Sequence, residues 1–306
     1  MYKVKFICQF IEEYINNVLY SEIPIIIYVD ILPRCIITDN IKSYHDPYTH
    51  EKLDNSKIYM FLQIESYIII SSLIQNLLND NEMFNLFTKI LTYDNNLLNK
   101  DPKCIKFLPY ENFYWCKSPN TNITNLFLKY HGVNDSYSYE NKNFIITFTC
   151  GHKNYCPGHR LRHILWNQQD KLLNVKCYYS KNNEGMIINQ NNIALTHPRD
   201  KTIMYENNMF CISIENNKSS NYFTEKLIEC IVSKTVPIYW GCPNINEYFN
   251  TKGFIIFNDE NELFDILKNL TEKDYYDRLE YINENYNKWV DNKSFEQKLI
   301  EIIKNI

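Results

Sequence analysis

The chain has 306 residues, long enough for two medium domains or one large one, and its 45% hydrophobic and 22% charged residues are those of an ordinary globular protein. A formal net charge of −4 lacks the basic excess of a general nucleic-acid binder, and only 6 Gly and 10 Pro exclude long flexible linkers. No apolar run approaches the roughly 20 residues that cross a bilayer, and the cysteines show no regular short spacing. A soluble, cytoplasmic protein with reduced thiols is therefore expected, with no membrane span and no nucleic-acid partner.

Short apolar runs alternate with amphipathic stretches, the mark of an α/β architecture. In the first half, Ile25–Tyr28 and Ile58–Ile64 read as buried strands. Leu73, Leu77, Leu78, Phe84 and Leu86 fall at helical spacing, interrupted by the turn-forming Asn79-Asp80-Asn81. Phe87–Leu91 leads to a short helix over Leu97–Leu98, and Ile105–Leu108 is a strand closed by Pro109. A polar stretch from Ser118 to Asn143 reads as the connection between domains. Then come strand Phe144–Thr149, a loop to Gly158, helix Leu161–Gln168, strand Val175–Tyr179 and a loop over Lys181–Asp200. Strand Phe210–Ile214, helix Phe223–Ser233, strands Val236–Tyr239 and Phe254–Phe257, and helices Glu260–Asn269, Lys273–Asn287 and Phe295–Ile303 complete the series. The expected domains are 1–140 and 141–290, followed by a C-terminal helix over 291–306.

The most informative segment runs from Phe210 to Phe257. In an open α/β sheet, ligands bind outside the carboxyl ends of the strands, where Glu215, Asn216 and Gly241 fall. Asn221 or Thr224 caps the following helix, whose first N–H groups suit an anion. Lys226 places a cation at the positive end of that helix dipole, a position that favours a bound anion such as a diphosphate. Glu225 suits a bidentate hydrogen bond to ribose hydroxyls.

Glu215-Asn216, then Tyr222-Phe223-Thr224-Glu225-Lys226, then Thr235-Val236-Pro237-Ile238-Tyr239-Trp240-Gly241 resembles the donor-binding signature of the family 10 fucosyltransferases. There the pattern reads Glu-Asn, a short loop, Tyr-Val-Thr-Glu-Lys, a helix, and Pro-(apolar)-(apolar)-x-Gly, so Phe223 replaces the usual Val. The likeness continues through Asn244, Phe249-Asn250 and Gly253-Phe254-Ile255. It implies a GT-B-type fold of two Rossmann-like domains facing a central cleft. It also implies an inverting glycosyltransferase that moves fucose from GDP-fucose to a glycan hydroxyl, in glycan biosynthesis or protein glycosylation. Carried over by position, Lys226 steadies the diphosphate, Glu225 the ribose and Tyr222 the base or sugar side, while Asn216 shapes the pocket. The family also places an arginine on the helix after the first strand of this domain. Arg162 fits by its spacing to Val175, with Arg160 in reserve, and a guanidinium suits phosphate. A transferase of the same fold with another nucleotide sugar, or a silent nucleotide-sugar- or glycan-binding protein, is the alternative.

An inverting transferase needs a general base for the acceptor hydroxyl. Glu65, at the end of the run Ile58–Ile64, is the candidate, with Asp39, Asp46 and Asp94 as further carboxylates in loops after apolar runs. Cys150, His152, Cys156 and His159 have the residue types of a zinc site, but their spacing matches no common one. No Asp-x-Asp pair follows an apolar strand, so no metal is expected and GDP-fucose enters as substrate. Neither a Gly-rich phosphate loop nor a Ser nucleophile elbow occurs, against a dehydrogenase, NTPase or hydrolase.

Overall fold

The computed structural model describes residues 4–8, 12–15, 24–38, 41–108, 142–172, 174–180, 183–195, 203–205, 207–293 and 295–306. Most of the connection read over Ser118–Asn143 lies outside them, as do Asp39, Pro109 and His197. The chain divides into two compact units, Met1–Thr121 with Lys293–Ile306, and Asn122–Asn292.

The first unit contains strands β1 (Val4–Cys8), β2 (Glu12–Ile15), β3 (Ile25–Val29), β4 (Arg34–Thr38), β5 (Ile41–His45), β6 (Ile58–Leu62), β7 (Lys89–Thr92) and β8 (Cys104–Lys106). Helices α1 (Ser71–Asn79), α2 (Asn81–Asn85) and α3 (Asn95–Leu98) join them. The second unit contains β9 (Asn143–Cys150), β10 (Val175–Ser180), β11 (Ile193–Leu195), β12 (Asn208–Ile214), β13 (Val236–Trp240) and β14 (Ile255–Ile256). Its helices are α4 (Pro157–Asn167), α5 (Glu225–Val232), α6 (Glu260–Asn269), α7 (Glu272–Tyr276) and α8 (Leu279–Val290). A last helix, α9 (Phe295–Ile303), returns to the first unit.

In the first unit the sheet order is β2-β1-β3-β6-β7-β8, parallel except for the β1–β2 pair. Strands β3 (IIIYV) and β6 (IYMFL) are apolar throughout because both faces of the sheet are covered. On one face Tyr28 and Phe61 pack with Ile74 and Leu77 of α1; on the other Ile27, Met60 and Leu62 pack with Leu299 and Ile303 of α9. Asp80 separates α1 from α2 by capping the second helix, its carboxylate accepting the N–H groups of Glu82 and Met83 at 3.0 and 3.1 Å.

The second unit repeats the plan with a fully parallel sheet, β11-β10-β9-β12-β13-β14. Every residue of β12 and β13 is buried. Pro237 sits within β13, paired with Cys211.

The structure departs from the sequence reading in several places, and strands β1 and β2 fall where no element was read. An antiparallel hairpin, β4–β5, occupies a stretch to which the sequence reading assigned no element and leaves Ile36, Ile37 and Ile41 exposed. The helix expected over Leu161–Gln168 starts at Pro157, because a proline at the first helical position loses no intrahelical bond. The helix expected over Lys273–Asn287 is two, since Thr271 and Asp274 form a capping box for the short α7 and a new helix opens at Leu279. Strand β11 lies inside the stretch read as loop, flanked by the asparagines that hid it.

Candidate active site

The second unit concentrates chemistry at the carboxyl edge of its sheet, where β12 ends and α5 begins. Glu215, the first residue after β12, is fully buried. Its two oxygens accept from the Thr224 N–H at 2.8 Å and the Thr224 hydroxyl at 2.7 Å. Thr224 is the N-cap of α5, which settles the choice between it and Asn221. Its hydroxyl oxygen accepts from the Lys226 N–H at 3.4 Å and from Nζ of the same residue at 3.2 Å. The Lys226 ammonium also lies 3.0 Å from Glu225 Oε1 and 3.9 Å from Glu215 Oε2. A buried carboxylate without such partners would be prohibitively costly. Burial raises the Glu215 pKa and the Lys226 charge partly restores it. Burial pulls the Lys226 pKa down, but Glu225 and Glu215 outweigh it and hold the ammonium charged against the opposing Arg162.

Asn221 has another task. Its backbone is left-handed, with φ 63°, and its N–H donates to Asn244 Oδ1 at 2.8 Å. The Asn221 side-chain oxygen accepts from Asn244 Nδ2 at 3.0 Å and from the Tyr248 hydroxyl at 2.6 Å. These bonds fix the loop that delivers Tyr222, Phe223 and Thr224. Tyr222 is 1% exposed, and Phe223 is buried against Tyr248 and Phe249. Tyr239 is in the core and its hydroxyl accepts from the Cys242 N–H at 3.0 Å, while Trp240 donates from Nε1 to Asn258 O at 2.9 Å.

Helix α4 approaches the same edge. The Gly158 N–H donates to Asn216 O at 3.0 Å. Arg162, on the next turn and buried, donates to the Ile214 carbonyl and, through Nη2, to Asn216 Oδ1 at 3.0 Å. Arg160 is exposed and donates to Tyr155 O at 3.2 Å. The fold thus brings Arg162, Asn216, Glu225 and Lys226 around Glu215 and leaves Arg160 apart. His159 shares the α4 N-terminus, its Nδ1 accepting from the Cys156 N–H at 3.3 Å. Burial first, then Arg162, Lys153 and Lys226, push its pKa down to about 3, so its imidazole is neutral. Cys150, His152, Cys156 and His159 do not converge: among the described residues no three His, Cys, Asp or Glu side chains are grouped to hold a metal ion. Cys150 and Cys156 are buried thiols.

In the first unit, the three described carboxylates proposed as base differ in what they do. Asp46 accepts the N–H groups of Tyr48 and Thr49 at 2.9 and 2.8 Å, tying off a turn. Asp94 caps α3, accepting from Asn96 and Leu97 at 2.9 and 3.1 Å. Glu65 is half-buried, three residues past the end of β6. Its own backbone is held instead: its N–H donates to Asp30 Oδ2 at 3.0 Å and its carbonyl accepts from the Tyr93 hydroxyl at 2.6 Å.

Asp30 is the carboxyl that titrates unusually. Burial raises its pKa from the ordinary 3.8 to about 7, the nearby Glu65 carboxylate adding to the rise while the Ile64 and Glu65 N–H groups oppose it. The folded protein therefore keeps a proton that the unfolded chain releases near 3.8. The resulting stabilisation is full below that value and is lost as pH rises through about 7. Thermal melts between pH 4 and pH 8 should show Tm falling across this window, with a shallower fall in Asp30→Asn; equal slopes would contradict the assignment. The charged or titratable groups facing Asp30 are the Glu65 carboxylate and the Tyr93 phenol.

Residues 140–303 match the sequence pattern of the family described as glycosyltransferase family 10 (fucosyltransferase) C-term. The chain belongs to glycosyltransferase family 10. An alpha-(1,3)-fucosyltransferase, FucT, of Helicobacter pylori is 37% identical over 90 residues, 28% of this chain. That match spans only 18% of the H. pylori protein. Two solved structures share the fold. An α1,3-fucosyltransferase crystallised with GDP-fucose aligns over 92% of this chain and 76% of its own, with TM-score 0.50 and 18% identity. TarM aligns over 92% of this chain and 54% of its own, with TM-score 0.51 and 10% identity. The family 10 chain thus has the α/β fold of GT-B type, each unit a Rossmann-like sheet. Among its described residues no helix is long and apolar enough to cross a membrane.

The family 10 signature exposed Asn216, Tyr222, Glu225 and Lys226 directly, and it contained Glu215 and Thr224 without revealing that they bond each other. Gly158 and Asp30 carried no sequence signal. Their contacts reach 58 and 34 residues along the chain, from Gly158 to Asn216 and from Asp30 to Ile64.

Proposed function

We propose that the chain is an inverting fucosyltransferase that moves fucose from GDP-fucose to a hydroxyl of a glycan. The observation that carries this reading is the buried Glu215, which holds the N-cap of α5 and sits between Lys226 and the Arg162–Asn216 pair, all inside the stretch that matches the family. The Lys226 ammonium and the Arg162 guanidinium are suited to the charge of a diphosphate. As the anomeric carbon–oxygen bond to the β-phosphate breaks, negative charge grows on the leaving GDP, and fixed cations stabilise it most at that moment. Glu225 serves the ribose and Tyr222 the wall of the nucleotide site. On the acceptor side, Glu65 takes the proton of the attacking hydroxyl as the new glycosidic bond forms on the opposite face of the sugar, which inverts the anomeric centre.

Thermal shift with a panel of nucleotide sugars tests the donor assignment. A ligand at 100 times its Kd stabilises the folded state by about 2.7 kcal/mol, so GDP-fucose and GDP should raise Tm by several degrees while UDP-glucose at the same concentration does not. A shift with UDP-glucose and none with GDP-fucose would overturn the fucose reading and leave a transferase of another donor.

A further inference from the structure

We infer that Asp30 and Tyr93 form a clamp that positions Glu65 for catalysis, gripping its peptide from both sides while leaving its carboxylate unengaged by either. This rests on the proposal that Glu65 is the base. The geometry begins in β3 and β6, which pair in parallel register with Val29 opposite Leu62. One residue beyond, Asp30 donates its N–H to Leu62 O at 3.0 Å and turns into the left-handed region, with φ 51°. Aspartate tolerates that conformation better than most residues, but it is uncommon and persists where surrounding bonds over-determine it, often at functional sites.

The turn has a definite result. It carries the Asp30 carboxylate past the end of β6, where Oδ1 accepts from the Ile64 N–H at 2.9 Å and Oδ2 from the Glu65 N–H at 3.0 Å. One residue beyond β7, Tyr93, 2% exposed, donates its hydroxyl to the Glu65 carbonyl at 2.6 Å. Gln63, just before, donates its N–H to Leu91 O at 2.9 Å. Three consecutive residues beyond β6 are thus fixed by neighbours on both sides, in a stretch with no ladder of its own. A general base requires this kind of control, since small misplacements of a reacting group cost large factors in rate. The nearness of the two carboxylates, Asp30 and Glu65, is otherwise a repulsion with no structural return; after burial, it adds to the rise of the Asp30 pKa.

The test measures GDP release from GDP-fucose with a panel of oligosaccharide acceptors, GDP affinity and Tm for the wild type, Asp30→Asn, Glu65→Gln and the double variant. Asparagine keeps the shape of Asp30 and its tolerance of a positive φ but can accept only one of the two N–H groups. Glu65→Gln should lower kcat by about 10²- to 10⁴-fold. Asp30→Asn should lower kcat by about 10- to 100-fold with GDP affinity within twofold, and that loss should vanish in the Glu65→Gln background, because a clamp has nothing to position once the base is gone. Tyr93→Phe should behave alike to a smaller degree. An Asp30→Asn enzyme with wild-type kcat, or one whose loss persists undiminished beside Glu65→Gln, would overturn the clamp. Full turnover by Glu65→Gln would instead remove Glu65 as base, and no GDP release by the wild type with any acceptor would remove the transferase reading. These failures are distinguishable from one another.

Discussion

Gly158→Ala is expected to destabilise the second unit by about 3 kcal/mol or more, at or beyond the upper end of overpacking costs. A methyl group there would sit 1.7 Å from the Glu215 carbonyl oxygen and 2.9 Å from its carbon, with the Asn216 carbonyl carbon at 3.1 Å. All three atoms are backbone, at the end of a wholly buried strand, so nothing flexible can give way. The alternative to unfolding is to push α4 off the sheet, which would break the Gly158–Asn216 hydrogen bond and displace Arg162. Urea unfolding of the variant reads the loss. Gly185→Ala is the control: it has φ 77° and no atom within 4 Å of an added methyl, so it pays only backbone strain, about 1 kcal/mol. Similar modest losses from the two substitutions would mean that α4 does not approach β12 as closely as described.

Lys226→Ala carries the second large expectation, because two effects coincide in one ammonium. Its removal leaves the fully buried Glu215 carboxylate hydrogen-bonded by Thr224 but without its ion-pair partner, and breaking a buried ion pair from one side costs about 3–5 kcal/mol. The real cost is smaller to the extent that the Lys226 side chain, 27% exposed, is screened by solvent. Removal also takes away the cation assigned to the donor diphosphate, worth about 1.5–3 kcal/mol for a charged hydrogen bond, or roughly 10- to 100-fold in GDP affinity. Glu215→Gln separates the two. Added to Lys226→Ala it should restore much of the lost stability, since a neutral amide needs no counter-charge, and should leave the affinity loss in place. Calorimetric titration with GDP beside thermal melts measures both quantities. Recovery of affinity together with stability would mean that Lys226 serves the fold alone. Arg162→Ala should weaken GDP binding by a similar factor.

The stretch around α5 was readable because its evidence is local. From Phe210 to Gly241 the strand, cap, helix and next strand follow one another with their chemistry in order, and burial of β12 and β13 follows from short, predominantly apolar runs. Where sequence reading placed boundaries badly, two residue types had double meanings. Pro157 and Gly158 read as loop, yet one is well placed at the first helical position and the other is the residue that lets α4 touch β12. The stretch from Lys273 to Asn287 keeps a helical apolar pattern across a break that only the capping box at Thr271 reveals. The hairpin β4–β5 escaped because Ile36, Ile37 and Ile41 are exposed, so apolar character there does not mark a core. The surroundings of Glu65 were the least legible. Its position after an apolar run was visible, whereas the hold of Asp30 and Tyr93 on its backbone joins the ends of three strands across 35 and 28 residues of chain.

The return of α9 to the first unit has a topological consequence. Residues 122–292 form one uninterrupted stretch, spliced as a guest between two pieces of its host. The guest can be cut out as a single polypeptide with its sheet entire. The host cannot be shortened to 1–121 without stripping Leu299 and Ile303 from Ile27, Met60 and Leu62, which would bare one face of its sheet to water.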